Sequence, residues 1–272
     1  SLSVFRVNGT SLTRTDVEPS RGDRPISVAV HGSLVYVLNA GGSGNVRGFR
    51  RSASGTLNYV GGRPLSGSSV KPVQVGFNPQ GSRLYVTERA TDRITRYAIS
   101  ASGAAGAPAW TKSAGAEPWG FEFSATGTLV VSEAGDHVED GSSASSYRLS
   151  SSGAPIVVSD AVPTTETAAC WTAVTPNGRF AYVTNTPDHS ISGFAIAANG
   201  TLAALDADGR TAVTGSGSQP IDLDTSANGD YLYVLTAGTD RILAYAIGAN
   251  GSLSPRPGVS GLPGAANGLV AR

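Results

Sequence analysis

The chain has 272 residues, 40% of them hydrophobic, with 20 Lys and Arg against 20 Asp and Glu. That balance excludes a strongly basic nucleic-acid surface and an acidic tail, and no run approaches the roughly 20 apolar residues of a membrane helix. The 35 Gly and 15 Pro require many tight turns rather than long helices, and the single Cys170 excludes an internal disulfide. Methionine is absent even at position 1, which points to a chain that begins where a signal peptide, a tag or an N-terminal part was removed.

Taken in order, the elements repeat. The chain enters on a strand, Ser3 to Val7, that carries Phe5 and runs into the turn Asn8-Gly9-Thr10. At Pro25 the run RPISVAV begins a longer unit, followed by Leu34-Val35-Tyr36-Val37, a strand with Phe49, and the turn Ser54-Gly55-Thr56-Leu57. The clearest copy spans Lys71 to Ser100. Val73, Val75 and Phe77 alternate with Gln74 and Gly76, the period of a strand with two different faces. Asn78-Pro79-Gln80-Gly81 makes a turn, Leu84-Tyr85-Val86-Thr87 a second strand, and Ile94 to Ile99 a third with Tyr97.

The same order recurs from Pro118, with turn Ser124 to Gly127, strand Leu129-Val130-Val131 and Tyr147. It recurs from Ala169, which stands where the other units have proline, and from Pro220, with Leu232-Tyr233-Val234 and Tyr245. A last first strand is expected after Pro263, over Asn267 to Ala271. First strands therefore start at 25, 72, 118, 169, 220 and 263, at intervals of 47, 46, 51, 51 and 43 residues.

Four strands in about 45 residues, repeated without a helical period, predict an all-β protein, a β-propeller of four-stranded antiparallel blades. The reading is a single domain over 1–272, with five complete blades and partial blade strands over 1–24 and 262–272. First strands number six but second strands five, so the terminal blade lacks its second strand. Either the ring has six blades, one of them three-stranded, or N-terminal residues of a larger ring are missing.

The recurring proline, the turn glycine, the φ-Tyr-Val-Thr strand, the aromatic third strand and the Gly-Thr-Leu turn resemble the lactonase-type seven-bladed propellers, the family of 6-phosphogluconolactonases and 3-carboxymuconate cyclases. The resemblance covers essentially the whole chain and implies seven blades, of which about one and a half would be absent. It also implies lactone chemistry, and carboxymuconate cyclases of this type use His, Glu and Arg at the channel mouth. A phosphorylated sugar lactone would want a tighter basic cluster than these residues offer.

Loops from fourth to first strands and from second to third strands share one rim, so chemistry is sought there. The first class holds Arg24, Lys71, Glu117, Trp119, Trp171, Gln219 and Asp222, and the second Asn39, Glu88, Arg89, Glu133, Asp136, His137, Glu139, Asn185, Asp188 and His189. In Ser132 to Asp140 four carboxylates surround His137, a candidate general base, although a solvated acidic loop has the same composition. Glu88 and Glu133 are the carboxylates proposed to work with it. Arg24, Lys71, Trp119, Trp171, Asn185 and Gln219 are the substrate-binding candidates, the two tryptophans as a stacking wall or as packing between blades. His31 reads as a solvated turn residue and Cys170 as buried core.

No metal site is expected, since zinc-ligand spacing is lacking; calcium held by Glu88, Glu133, Asn185 and Asp222 is the one cofactor these residues would suit. The expected partner is a small-molecule ligand, with no nucleic acid and no membrane, and with oligomers if the ring is incomplete. Two functions fit: a hydrolase or cycloisomerase acting on a lactone of a small carboxylated or sugar-derived compound, and a non-catalytic binding or scaffold propeller. An extracellular or periplasmic bacterial protein of carbohydrate metabolism is the preferred setting, leaving the cytoplasm open.

Overall fold

A computed structural model describes residues 1–271. They fall into two compact units, Ser1–Lys112 and Ser113 onward. The first opens with a hairpin of β1 (Leu2–Asn8) and β2 (Ser11–Glu18). Two antiparallel four-stranded sheets follow: β3 (Pro25–His31), β4 (Leu34–Asn39), β5 (Asn45–Arg51), β6 (Leu57–Pro64), and then β7 (Pro72–Phe77), β8 (Arg83–Glu88), β9 (Arg93–Ala98), β10 (Ala109–Lys112).

The second unit holds three more antiparallel sheets, two four-stranded and one five-stranded. They are β11 (Pro118–Phe123), β12 (Leu129–Glu133), β13 (Ser143–Leu149), β14 (Pro155–Pro163); β15 (Ala169–Val174), β16 (Phe180–Asn185), β17 (Ser190–Ile196), β18 (Leu202–Ala204), β19 (Ala212–Val213); and β20 (Pro220–Thr225), β21 (Tyr231–Thr236), β22 (Arg241–Ile247), β23 (Leu253–Ser260). These are the blades of a β-propeller. Five blades and an N-terminal hairpin match the strand order read from the repeat. In the fourth blade the outer strand is split, with β18 and β19 both pairing with β17 around a looped segment pinned by a Ser192 hydroxyl donating to the Gly209 carbonyl at 2.7 Å.

Second strands are near-continuous β-branched and aromatic runs because they are buried on both faces. The third-strand aromatics Phe49, Tyr97, Tyr147, Phe194 and Tyr245 are buried, whereas Phe5 is 48% exposed. Apolar residues meet between successive blades within each unit. Tyr36, Leu38 and Val46 pack on Val75, Val86 and Tyr97; Val130 and Ala144 pack on Val174 and Val183; Ala173 and Tyr182 pack on Leu223 and Val234. The N-terminal hairpin packs Leu2 and Val4 on Val35, Val37 and Phe49.

Two second-strand tyrosines also clamp the next blade. Tyr36 donates to the carbonyl of Gly103 at 2.7 Å and Tyr182 to that of Gly251 at 2.8 Å, both in turns between third and fourth strands. Burial pushes the Tyr182 hydroxyl well above its ordinary pKa, so it stays a donor. Tyr182→Phe, which strands one buried carbonyl, should cost about 1–2 kcal/mol in urea unfolding; no change in midpoint would show the clamp to be idle.

First strands are tied side chain to backbone. The Val75 N–H donates to Ser27 Oγ at 3.2 Å and the Val174 N–H to Glu122 at 2.5 Å. Leu269 N–H donates to Asp222 at 2.7 Å and Ala271 N–H to Asp224 at 2.8 Å. This corrects the C-terminal reading. No strand forms over 267–271, because no second strand pairs with it, yet these residues keep first-strand register. Ser27 lies two residues past its proline and Val75 three past its own. Leu269 therefore counts back to Ala266, not Pro263, as the position equivalent to proline, 46 residues after Pro220.

Candidate functional site

One backbone feature builds the rim. The residue before each first strand adopts positive φ without being glycine: Arg24 (55°), Lys71 (48°), Glu117 (57°), Ala168 (50°) and Gln219 (49°). Such a conformation costs on the order of 1 kcal/mol per residue and persists only where its surroundings hold it. The hold is visible. The carbonyls of Arg24, Lys71, Glu117 and Gln219 accept the N–H groups of Ala40, Arg89, Ala134 and Ala237, each just past the second strand of its own blade, at 2.9 to 3.2 Å. Loops of the two classes are thus stitched together, and the strained residue sits at the rim.

In the third blade this arrangement brings three functional side chains together. The loop after β12 turns through Gly135–His137, where Asp136 and His137 both have positive φ, 54° and 58°. It is fastened by His137 N–H to the Ala134 carbonyl at 3.2 Å and Gly135 N–H to the Ala116 carbonyl at 3.2 Å. His137 Nε2 then lies 3.4 Å from Glu117 Oε2, and the Trp119 ring meets the imidazole edge-on with centroids 6.3 Å apart. The imidazole is half exposed, while the carboxylate is almost buried. With Nε2 facing the carboxylate, Nδ1 is the nitrogen left to take a proton from solvent.

The carboxylate partner of His137 is therefore Glu117, from the loop before β11, rather than one of the four in its own loop. Asp136, Glu139 and Asp140 are exposed to water. Glu133 is fully buried, accepting from Gly115 N–H at 3.0 Å, Ser113 Oγ at 3.2 Å and Ser143 Oγ at 2.5 Å, and burial raises its pKa. Glu88 takes the equivalent place in the second blade, fully buried, accepting the Ser66 N–H at 3.1 Å and the Ser66 hydroxyl. Asn185 is also fully buried and donates to Ser190 Oγ at 3.0 Å and Ser192 Oγ at 2.8 Å. All three close the last residue of a second strand against neighbouring loop or strand hydroxyls, a brace rather than a rim contact.

Trp171 is partly buried and packs against the apolar cluster shared by the fourth and fifth blades, which includes Ala173, Tyr182 and Leu223. Gln219 is exposed on the rim, and its N–H donates to His189 Nδ1 at 3.3 Å. Arg24 and Lys71 are exposed at the same blade position in the first unit. Cys170 is half exposed rather than core: the thiol donates to the Ala168 carbonyl and accepts from Thr186 Oγ1, both at 3.2 Å. His31 is half-buried with its ring 5.7 Å from that of Phe77, not a solvated turn residue.

On the first strands, burial pushes Glu122 up to about 8 and Asp222 up to about 7, helped in both by the charge of Asp224. Among the described residues no three His, Cys, Asp or Glu side chains are grouped to hold a metal ion. Of the calcium candidates, Asp222 accepts backbone N–H groups of Leu223 and Leu269, and the other three are the buried braces. Among the described residues no helix is long and apolar enough to cross a membrane.

Residues 133–266 match the family model described as lactonase, 7-bladed beta-propeller. No curated protein matches the sequence. Among solved structures, the chain is similar to the periplasmic gluconolactonase of Pseudomonas aeruginosa, with 19% identity, 95% of this chain and 78% of that one covered, and a TM-score of 0.74. It is also similar to proteins provisionally assigned as 6-phosphogluconolactonases from two species. For Bacteroides uniformis the values are 16% identity, 93% and 76% coverage and TM-score 0.75; for Bacteroides fragilis they are 19%, 95% and 77%, and 0.74. At such identities the likeness establishes the fold.

Proposed function

We propose, from the match of residues 133–266 to the lactonase, 7-bladed beta-propeller family model and from the rim geometry, that this chain hydrolyses a lactone of a small carboxylated or sugar-derived compound. The observation that carries the reading is the His137–Glu117 pair at 3.4 Å beside Trp119, on the rim and open to solvent.

Hydrolysis requires a base that takes a proton from water as the water oxygen adds to the lactone carbonyl. His137 Nδ1 is that base, and Glu117 holds the ring and offsets the imidazolium charge that follows. The ring C–O bond then breaks, and the proton on Nδ1 goes to the departing alkoxide. Trp119, whose ring meets the imidazole, carries an indole N–H of the kind an acyl oxyanion requires. The apolar face of Trp119 suits the carbon skeleton of a ring. No step draws on Arg24, Lys71 or Glu88, which belong to the first unit. An extracytoplasmic location, as in the Pseudomonas relative, goes with this reading.

The test is a lactone-hydrolysis screen followed by a pH profile, on the wild type and on His137 and Glu117 variants. Turnover that falls with loss of the imidazole supports the proposal. A wild type inert on every lactone would leave a binding propeller as the reading of this fold.

A further inference from the structure

Zero net charge conceals a division. Residues 1–112 carry 14 Lys and Arg against 5 Asp and Glu, whereas 113–272 carry 6 against 15, formal charges of +9 and −9. The absence of a charged field, read from the totals, thus holds for the whole chain but for neither unit. In the second unit, exposed acids gather where His137 stands. Asp136, Glu139 and Asp140 are exposed in its own loop and lie within three residues of it, so none of their Cα atoms is more than about 12 Å from its own. The loop before β15 brings in another. Thr167 accepts the Asp140 N–H on its hydroxyl at 3.1 Å and donates its own N–H to the carboxylate of Asp188. With Glu117 facing the imidazole, these carboxylates dominate this part of the rim.

No free cation answers them among the described residues of this unit. Its positive residues are all arginines. Arg210 reaches these loops, but its Nε is 2.6 Å from the buried carboxylate of Glu166, and the charges of Asp188 and Asp208 act on the same guanidinium. Arg148 and Arg179 stand at the opposite ends of their blades, where Arg179 donates to the Ala249 carbonyl at 3.2 Å. Arg241 and Arg256 belong to the fifth blade.

We infer that this rim selects an uncharged sugar-derived lactone over phosphorylated or carboxylated ones, and that the same field drives the anionic product out. The inference rests on the hydrolytic reading and narrows its substrate. A phosphate dianion about 10 Å from three exposed carboxylates is repelled, in water and at low salt, by an amount that weakens binding about tenfold. An uncharged lactone feels none of this. Hydrolysis then makes it an anion: the water oxygen becomes part of a carboxylate, one proton ends on the freed ring hydroxyl, and the other leaves to solvent. The loops that admitted the lactone now repel its product.

The test compares glucono-δ-lactone with its 6-phosphate, by initial rates corrected for uncatalysed opening. At about 0.02 M salt the uncharged lactone should have a kcat/KM about tenfold higher or more, with the difference in KM. At about 0.5 M salt the two should come within about threefold of each other. A variant combining Asp136→Asn, Glu139→Gln and Asp140→Asn removes the charges, and Asn tolerates the positive φ of Asp136 and Asp140, 54° and 55°. This variant should leave the uncharged lactone's kinetics unchanged. It should lower KM for the 6-phosphate about fivefold or more and strengthen inhibition by gluconate about threefold. Equal or better turnover of the 6-phosphate by the wild type overturns the inference and leaves hydrolysis standing, as does a preference that neither salt nor the triple variant alters. A wild type inert on both lactones overturns the hydrolytic reading, and this inference with it.

Discussion

His137→Ala should lower kcat/KM for the best lactone found by about 100-fold or more, with KM moving far less than kcat. General-base catalysis contributes typically 10²–10⁴-fold, and an alanine here leaves water without a proton acceptor while the rim that binds the ring is unchanged. Since the imidazole is half exposed and touches only Glu117 and the edge of Trp119, the variant should fold, and urea unfolding measured beside the kinetics separates lost chemistry from lost stability. Glu117→Gln is the companion. It keeps the size and removes the charge facing Nε2, so it should lower kcat by less than His137→Ala while leaving KM little changed. A kcat unchanged in His137→Ala would remove this residue from the reaction. Loss of activity in Glu117→Gln that tracks a loss of folded protein in urea unfolding would make Glu117 a brace like Glu133.

The blade pattern was legible because burial on both faces forces β-branched and aromatic residues into every second strand, and every turn needs a residue tolerant of positive φ. Gly81, at φ 66°, and Gly178, at φ 68°, mark such turns where the spacing places them. Position on the rim was legible too, since topology alone assigns loop classes. The direction of a side chain was not. Glu88 and Glu133 end their second strands just as a rim residue would, yet both turn inward to hydroxyl and backbone donors. Glu117 faces His137 because it adopts positive φ before a proline, where the usual expectation is an extended residue. That conformation arises from the hydrogen bond of Ala134 N–H to its carbonyl, a contact between segments that local sequence does not encode. Charge segregation, by contrast, was present in the sequence, but it becomes visible only once the boundary between the units is known.

Stability should fall, not rise, as pH increases from about 5 to about 9, and the inner strands are the cause. Glu122 keeps its proton up to about 8 and Asp222 up to about 7, against ordinary values near 4 in the unfolded chain. In both, burial is the first cause; the neighbouring charge of Asp224 adds to it, and the N–H donors of Val174 for Glu122 and of Leu269 and Leu223 for Asp222 act against it. With folded values raised, the folded chain binds more protons than the unfolded one between about pH 4 and pH 8. The stabilisation is complete below the unfolded values and is lost as pH climbs through the folded ones. A shift of roughly three units corresponds to about 4 kcal/mol for one isolated group; two groups that share Asp224 should together give on the order of 3–5 kcal/mol. Urea unfolding across this range should show the decline in the wild type. Glu122→Gln and Asp222→Asn keep an oxygen acceptor for the N–H of the next inner strand and cannot ionise, so each should flatten the slope and the pair should flatten it further, leaving the smaller decline due to Glu133 and Asp224, which burial also raises. A wild type whose unfolding free energy is level or rises over this interval would mean that these carboxyls ionise at ordinary values, with water reaching the inner wall.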